Sequence, residues 1–379
     1  MFSYPFEGRP SRIQMSGLFN LSPQEYFKLF VASMTSVLRE VDQPTLANII
    51  RRIERWQSTL PSEAKARKTL SEFMDVLQNF SRSDGNNTAI DNFLRAVSGD
   101  EAAQAWVNEL TPYESLLIGT RKLPISWTLR DAYIVELERV GHRASGEIYA
   151  GDMYGAVETI ESHLISSQLL WPTATDSLLR IRNFTGITPQ TAAMAMEAHL
   201  GWLAAWDISA SGCFDDTDSK LGMLLPSHDA RGRNPTSLLF DALKRRVGAA
   251  SVEEIADKVP EISSETFYRW SSGKQFPDTK TADAVVFKYG LIERNRTDVF
   301  HHQYGASKLI NLIGYICEQL ANKTRLAGSP LEYMPWPNYP FGYSDFESWA
   351  AARYPHWLAY LRQHGEALLE SARASHPVI

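Results

Sequence analysis

The chain has 379 residues, 44% of them hydrophobic, and a formal net charge of -6. That length builds two or three domains with packed cores, and the acidic balance argues against a protein that coats nucleic acid through bulk charge. No run of 18 apolar residues and no charged-then-apolar leader occurs. Cys213 and Cys317 lack any ligand spacing, so a cytoplasmic protein with no membrane span is expected.

Alternating β-branched runs are scarce and amphipathic stretches at helical spacing are frequent, which predicts an all-α fold. Helix starts are written clearly in the first two hundred residues. Ser22-Pro23-Gln24-Glu25 and Thr111-Pro112-Tyr113-Glu114 each pair a capping hydroxyl with Pro at the first helical position and a Glu that reaches back. These signals predict helices near 22-40, 44-57, 62-80, 87-97, 100-109, 112-120, 128-140, 153-169, 173-183 and 189-206. Together they make a large N-terminal helical domain over 1-208.

Chemistry is hard to find in this part. The basic residues Arg51, Arg52, Arg55, Lys65, Arg67 and Lys68 read as a solvated helix face. His142, His163 and His199 stand far apart and read as surface or half-buried histidines rather than ligands.

Residues 209-234 turn towards small and acidic types, which predicts a linker. Asp215, Asp216 and Asp218 lack the order of a calcium loop. The stretch ends in Arg231-Gly232-Arg233, two arginines that read either as a flexible arm reaching into a minor groove or as a solvated basic linker.

From Pro235 the chain predicts four helices in quick succession. Pro235 starts the first, with Leu238, Leu239, Ala242, Leu243 and Val247 on one face, and Gly248 stops it. Ser251 caps the second, where Val252, Ile255, Ala256 and Val259 point inward. Ser263 caps the third, over 263-272, with Phe267 and Trp270 three apart on a core face. Asp278 caps the fourth, whose stripe is Ala282, Val285, Val286 and Tyr289 up to Gly290.

On Ser251, Glu253-Glu254-Ile255-Ala256, Ser263, Thr266, Arg269-Trp270, Ser272-Gly273-Lys274 and Pro277, this run resembles the helix-turn-helix domain of the Xre/lambda-repressor-like DNA-binding proteins. The resemblance covers residues 235 to about 291 only. Val252 stands where the family often has a Gln, and the turn is one residue longer, with Pro260-Glu261. The resemblance implies a homodimer on double-stranded DNA, with 263-272 as the recognition helix. Ser263, at the cap of that helix, would contact the DNA together with Ser264, Glu265, Thr266 and Tyr268, the last four facing base edges. Arg269, Lys274 and Lys280 would hold phosphates, with Arg231 and Arg233 as the arm. Residues 231-296 carry twelve Lys/Arg against nine Asp/Glu, which leaves -9 for the rest of the chain. Positive charge thus gathers in the one segment expected to meet phosphates.

In a C-terminal region over 297-379, Ala306 to Leu320 predicts a strongly apolar helix. Met334 to Tyr343 makes a stiff aromatic and proline-rich segment. Ser344-Asp345-Phe346-Glu347 caps a further helix, and Pro355 starts the last. The reading is therefore an all-α chain with its helix-turn-helix domain at 235-296. The expected function is sequence-specific DNA binding in transcriptional regulation, with no enzymatic activity, cofactor or metal. A protein partner could dock on the N- or C-terminal helices. The alternative is a scaffold subunit of a larger complex, such as a phage-defence or mobile-element assembly.

Overall fold

In the computed structural model the Thr128 hydroxyl accepts from the Asp131 amide at 3.3 Å and opens a long helix, α1 (Leu129–Tyr149). The structure describes residues 127-169, 189-211, 219-227, 233-291, 299-326 and 345-374, together with 343. Before 127 it describes 48, 49, 52, 61-69, 71, 72, 75, 95, 100 and 101. The protein is all-α, and no strand occurs among the described residues. No helix among them is long and apolar enough to cross a membrane.

The chain divides into two compact units, one holding every described residue from Trp127 onward and the other those between 48 and 101. In the latter, the Arg52–Glu72 and Arg67–Glu63 ion pairs neutralise part of the expected basic face. Arg51 and Arg55 lie outside the described residues. The division falls near residue 126 and not across 209-234, because the helices Leu129–Tyr149 and Pro189–Ser211 pack with the helices Val299–Leu326 and Phe346–Ala374.

After α1 come α2 (Met153–Ser162), capped by Asp152, and α3 (Pro189–Ser211). Helix α3 is apolar almost all round, which marks a core helix, whereas α1 is buried over its first half with Asp131, Glu136 and Glu138 included. Helix α3 packs on α1 and on the two C-terminal helices, α8 (Val299–Leu326) and α9 (Phe346–Ala374). Gly201 allows that approach: a Cβ there would lie 2.3 Å from Tyr133 Oη and 2.9 Å from the Trp357 ring.

Polar groups stitch the same interface. Glu197, fully buried, accepts from Trp349 Nε1, Trp357 Nε1 and Arg353 Nε, each at 2.7 Å. Burial pushes its carboxyl up, opposed by the Arg353 charge and these three hydrogen bonds. His199, expected at the surface or half-buried, is fully buried in α3, and its Nδ1 donates to the Ala195 carbonyl at 2.5 Å. Burial lowers its pKa to about 4, so the ring is neutral.

The expected linker is packed wherever it is described. Residues 209-211 continue α3, and Leu221 and Leu224 are buried around a 3-10 turn, Gly222–Leu224. The buried Asp207 carboxylate explains why: it accepts from the Lys220 and Leu221 amides (2.9 and 3.1 Å), the Ser219 hydroxyl and Tyr354 Oη. Those acceptors satisfy backbone that would otherwise have to face water. Asp215, Asp216 and Asp218 lie outside the described residues.

Two C-terminal expectations are corrected. Helix α8 begins at Val299, seven residues before the predicted start, because Phe300 is buried against Trp270 with ring centroids 6.3 Å apart. Pro355 starts no helix; it sits inside α9, which runs unbroken from Phe346. Trp349 and Trp357, on either side of the proline, both bond Glu197 and hold the helix together through it. The segment Met334 to Tyr343 lies outside the described residues, apart from Tyr343.

Candidate nucleic-acid interface

Between the 3-10 turn and α8, four short helices follow one another: α4 (Pro235–Val247), α5 (Val252–Lys258), α6 (Ser264–Ser271) and α7 (Thr279–Lys288). Three N-caps are the expected ones, Ser251, Ser263 and Asp278, which accept from the amides of Glu254, Thr266 and Thr281; α4 is capped by Asn234, which accepts from the Ser237 amide. Gly248 ends α4 in the left-handed region.

Helix α6 packs on α4 and α5 through Phe267 and Trp270, both buried. They meet Phe240 of α4, whose ring lies 5.2 Å from Trp270 and edge-on to it. Phe240 is the core residue that the predicted α4 stripe omitted, whereas Leu238 is only half-buried. Trp270 Nε1 is buried without an acceptor among the described residues.

With that face inward, Ser264, Glu265, Tyr268 and Arg269 project outward at i, i+1, i+4 and i+5. Tyr268 is 47% exposed, although large apolar rings are usually covered. Ser263 and Thr266 share a hydroxyl contact of 2.9 Å at the helix start, so both are engaged in capping. Arg269 lies one turn after Glu265, 3.8 Å from its carboxylate, and its Nη1 donates to Gln275 Oε1 at 3.4 Å. Lys274 is exposed just past the helix end.

A turn with φ of +68° at Gly273 ends α6, and the Asn234 amide donates to the Gly273 carbonyl at 2.8 Å. Asn234, absent from the residues singled out in the sequence, thus fastens the end of α6 to the start of α4. Its signal was Asn before Pro at a helix start, which identifies a cap but not a second, distant partner. Gln275 was missed as well, because its contact depends on the turn that brings it back under Arg269.

Other expected contacts divide. Arg233 turns back onto α4, pairing with Asp241 and reaching the Ser237 carbonyl, so it is engaged with the helix and not extended as an arm. Arg231 lies outside the described residues, as does the side chain of Lys280, whose backbone lies in the first turn of α7. The start of α5 is anionic: the Ala250 amide donates to Glu254 Oε2 at 2.7 Å, and the Glu253 carboxyl is held below its usual range by its own backbone amide and the Ser251 hydroxyl. Such a helix start is a poor seat for phosphate. Lys244, Arg245 and Arg246 gather in the last turn of α4.

The group is fixed to the body by α8. Tyr304 Oη donates to the Pro277 carbonyl (3.0 Å), Ser307 Oγ to the Pro235 carbonyl (2.9 Å), and Asn311 Nδ2 to Thr236 Oγ1 (2.9 Å). All three lie in buried surroundings, where such bonds are costly to lose. At the other side of α8, Trp206 Nε1 of α3 donates to His302 Nδ1 at 2.8 Å.

Among the described residues no group of three or more His, Cys, Asp or Glu could hold a metal ion. Comparison with protein-family models, with curated proteins and with solved structures finds no match to this chain.

Proposed function

We propose that α4 to α7 form a helix-turn-helix of the Xre/lambda-repressor-like kind, that α6 enters the major groove of double-stranded DNA, and that the protein regulates transcription as a homodimer. The observation that carries this is the division of α6. Phe267 and Trp270 face the core while Ser264, Glu265, Tyr268 and Arg269 face outward, with Lys274 at the end. A short helix with hydrogen-bonding side chains on its open face suits base edges, and the lysine beside it suits phosphate. The surplus of positive charge over residues 231-296 supports the same reading.

Binding of the pure chain to genomic DNA fragments across a salt series tests it. Selective binding that weakens steeply with salt is expected, and Lys274→Ala lowers the salt slope by about 1. Binding that ignores both sequence and salt rejects the reading.

A second reading, a scaffold whose four helices contact protein, draws on Phe287 of α7, which is 73% exposed. A stable co-purifying protein lost on Phe287→Ser, with no DNA binding, favours it.

A further inference from the structure

Resting on the DNA-binding reading, we infer that Arg269 is a base reader for guanine and not a phosphate contact, with Glu265 and Gln275 as its positioning residues. Two observations carry the assignment, and the first is charge. Glu265 lies 3.8 Å from the Arg269 guanidinium, one turn earlier on the same helix. The pair is neutral, so docking it against a phosphate releases little counterion and gains little attraction. Lys274, among the described residues, pairs with no carboxylate and is exposed, so the phosphate role falls to it.

The second is geometry. Arg269 Nε faces Glu265, and Nη1 faces Gln275 across the turn at 3.4 Å. The guanidinium is flanked on two sides by acceptors from its own chain, while its Nη2 hydrogens have no protein acceptor among the described residues. Gln275 takes one Nη1 hydrogen, so the other Nη1 hydrogen and those of Nη2 are left for the two acceptors, O6 and N7, that guanine shows in the major groove. Arg269 lies on the outward face beside Ser264 and Tyr268, where base edges would lie if α6 enters the groove. Gln275, from beyond the helix, thereby acquires a part in specificity without touching DNA.

Site selection from a random duplex pool, using the pure full chain, tests this on the wild type and on Arg269→Lys, Glu265→Gln, Gln275→Ala and Lys274→Ala. The wild type is expected to select sites sharing a G·C pair. Arg269→Lys keeps the charge but not the fork, and lowers discrimination at that pair about 5- to 150-fold while other positions keep theirs. Glu265→Gln and Gln275→Ala relax the same pair several-fold, and Lys274→Ala weakens all sequences alike. The inference is overturned, with DNA binding intact, if Arg269→Lys lowers affinity uniformly or leaves the guanine preference in place. It is equally overturned if the selected sites hold no preferred guanine, or if neither positioning variant moves that preference. Failure of every variant and of the wild type to bind any duplex removes the DNA reading itself, and this assignment with it.

Discussion

Asn234 and Gly273, 39 residues apart, share a 2.8 Å hydrogen bond that closes α4 and α6 into one unit. The same Asn234 side chain caps α4 by accepting from the Ser237 amide at 3.1 Å, so one amide group serves two helices. Asn234→Ala is expected to lose about 1 kcal/mol from the cap and a further 1 to 3 kcal/mol from the stranded Gly273 carbonyl. Asn234→Asp keeps the cap but sets a carboxylate oxygen against the Gly273 carbonyl, so it should lose at least as much as the Ala variant. Urea midpoints decide it, and an Ala variant within about 0.5 kcal/mol of wild type would show the bond to be idle.

Gly273 is constrained from both sides. Its φ of +68° disfavours any L side chain, and a Cβ would lie 2.3 Å from Asn234 Oδ1. Gly273→Ala should therefore cost about 2 to 3 kcal/mol, more than left-handed strain alone. Adding Asn234→Ala to it should cost less than the sum of the two, because the clash partner is gone. Strict additivity in that double mutant would show that the two residues do not meet.

Trp270 should tolerate Phe better than a buried tryptophan usually does. The smaller ring leaves a void worth about 1 to 2 kcal/mol. It also removes an indole N–H that is buried without an acceptor among the described residues, which costs the wild type about 1 to 3 kcal/mol. The two terms offset, so thermal unfolding of Trp270→Phe is expected within about 1 kcal/mol of wild type. A loss above about 3 kcal/mol would mean that the N–H is satisfied after all.

Arg353→Leu leaves Glu197 buried with its two indole donors but without its counter-charge, at an expected cost of about 3 to 5 kcal/mol. That cost depends on pH. Glu197 has a folded pKa above its unfolded one, so the stability this group supplies is present at low pH and lost as pH rises through the folded value. Removing the arginine raises that pKa further, and the penalty of the variant should grow from pH 4 to pH 8. A penalty flat across that range contradicts the pairing.

His199 has the opposite sign. Its pKa falls from about 6.5 unfolded to about 4 folded, so its contribution is complete above 6.5 and is lost as pH drops towards 4. The loss amounts to about 3 kcal/mol over that window. His199→Gln should remove this part of the acid slope in pH-dependent denaturation. An unchanged slope would place the ring in contact with water.

How far the sequence could be read depends on the range of the interactions involved. Caps are local, and Asn234, Ser251, Ser263 and Asp278 stand where the helices start. Periodicity is local too, so Phe267 and Trp270 were recognisable as core. What escaped is what the fold brings together. Asp207 turns an expected linker into packed chain through partners 12 to 147 residues away. Pro355 reads as a helix start until Trp349 and Trp357 are seen to bond one carboxylate across it. Arg233 reads as a free arm until Asp241 pairs with it. The outward residues of α6 were legible, whereas the flanking of Arg269 by Gln275 needed the turn at Gly273.

The attachment through α8 bears on portability. Pro235, Thr236 and Pro277 hand their backbone or side-chain acceptors to Ser307, Asn311 and Tyr304, and Phe300 covers Trp270. A fragment cut out at 233-291 would expose that aromatic surface and strand those groups, so it should not behave as an autonomous cassette. Swapping this segment into another scaffold would fail unless the first half of α8 travels with it. Recombination that moves this segment into another protein would have to keep its breakpoints clear of residues 235 to 311.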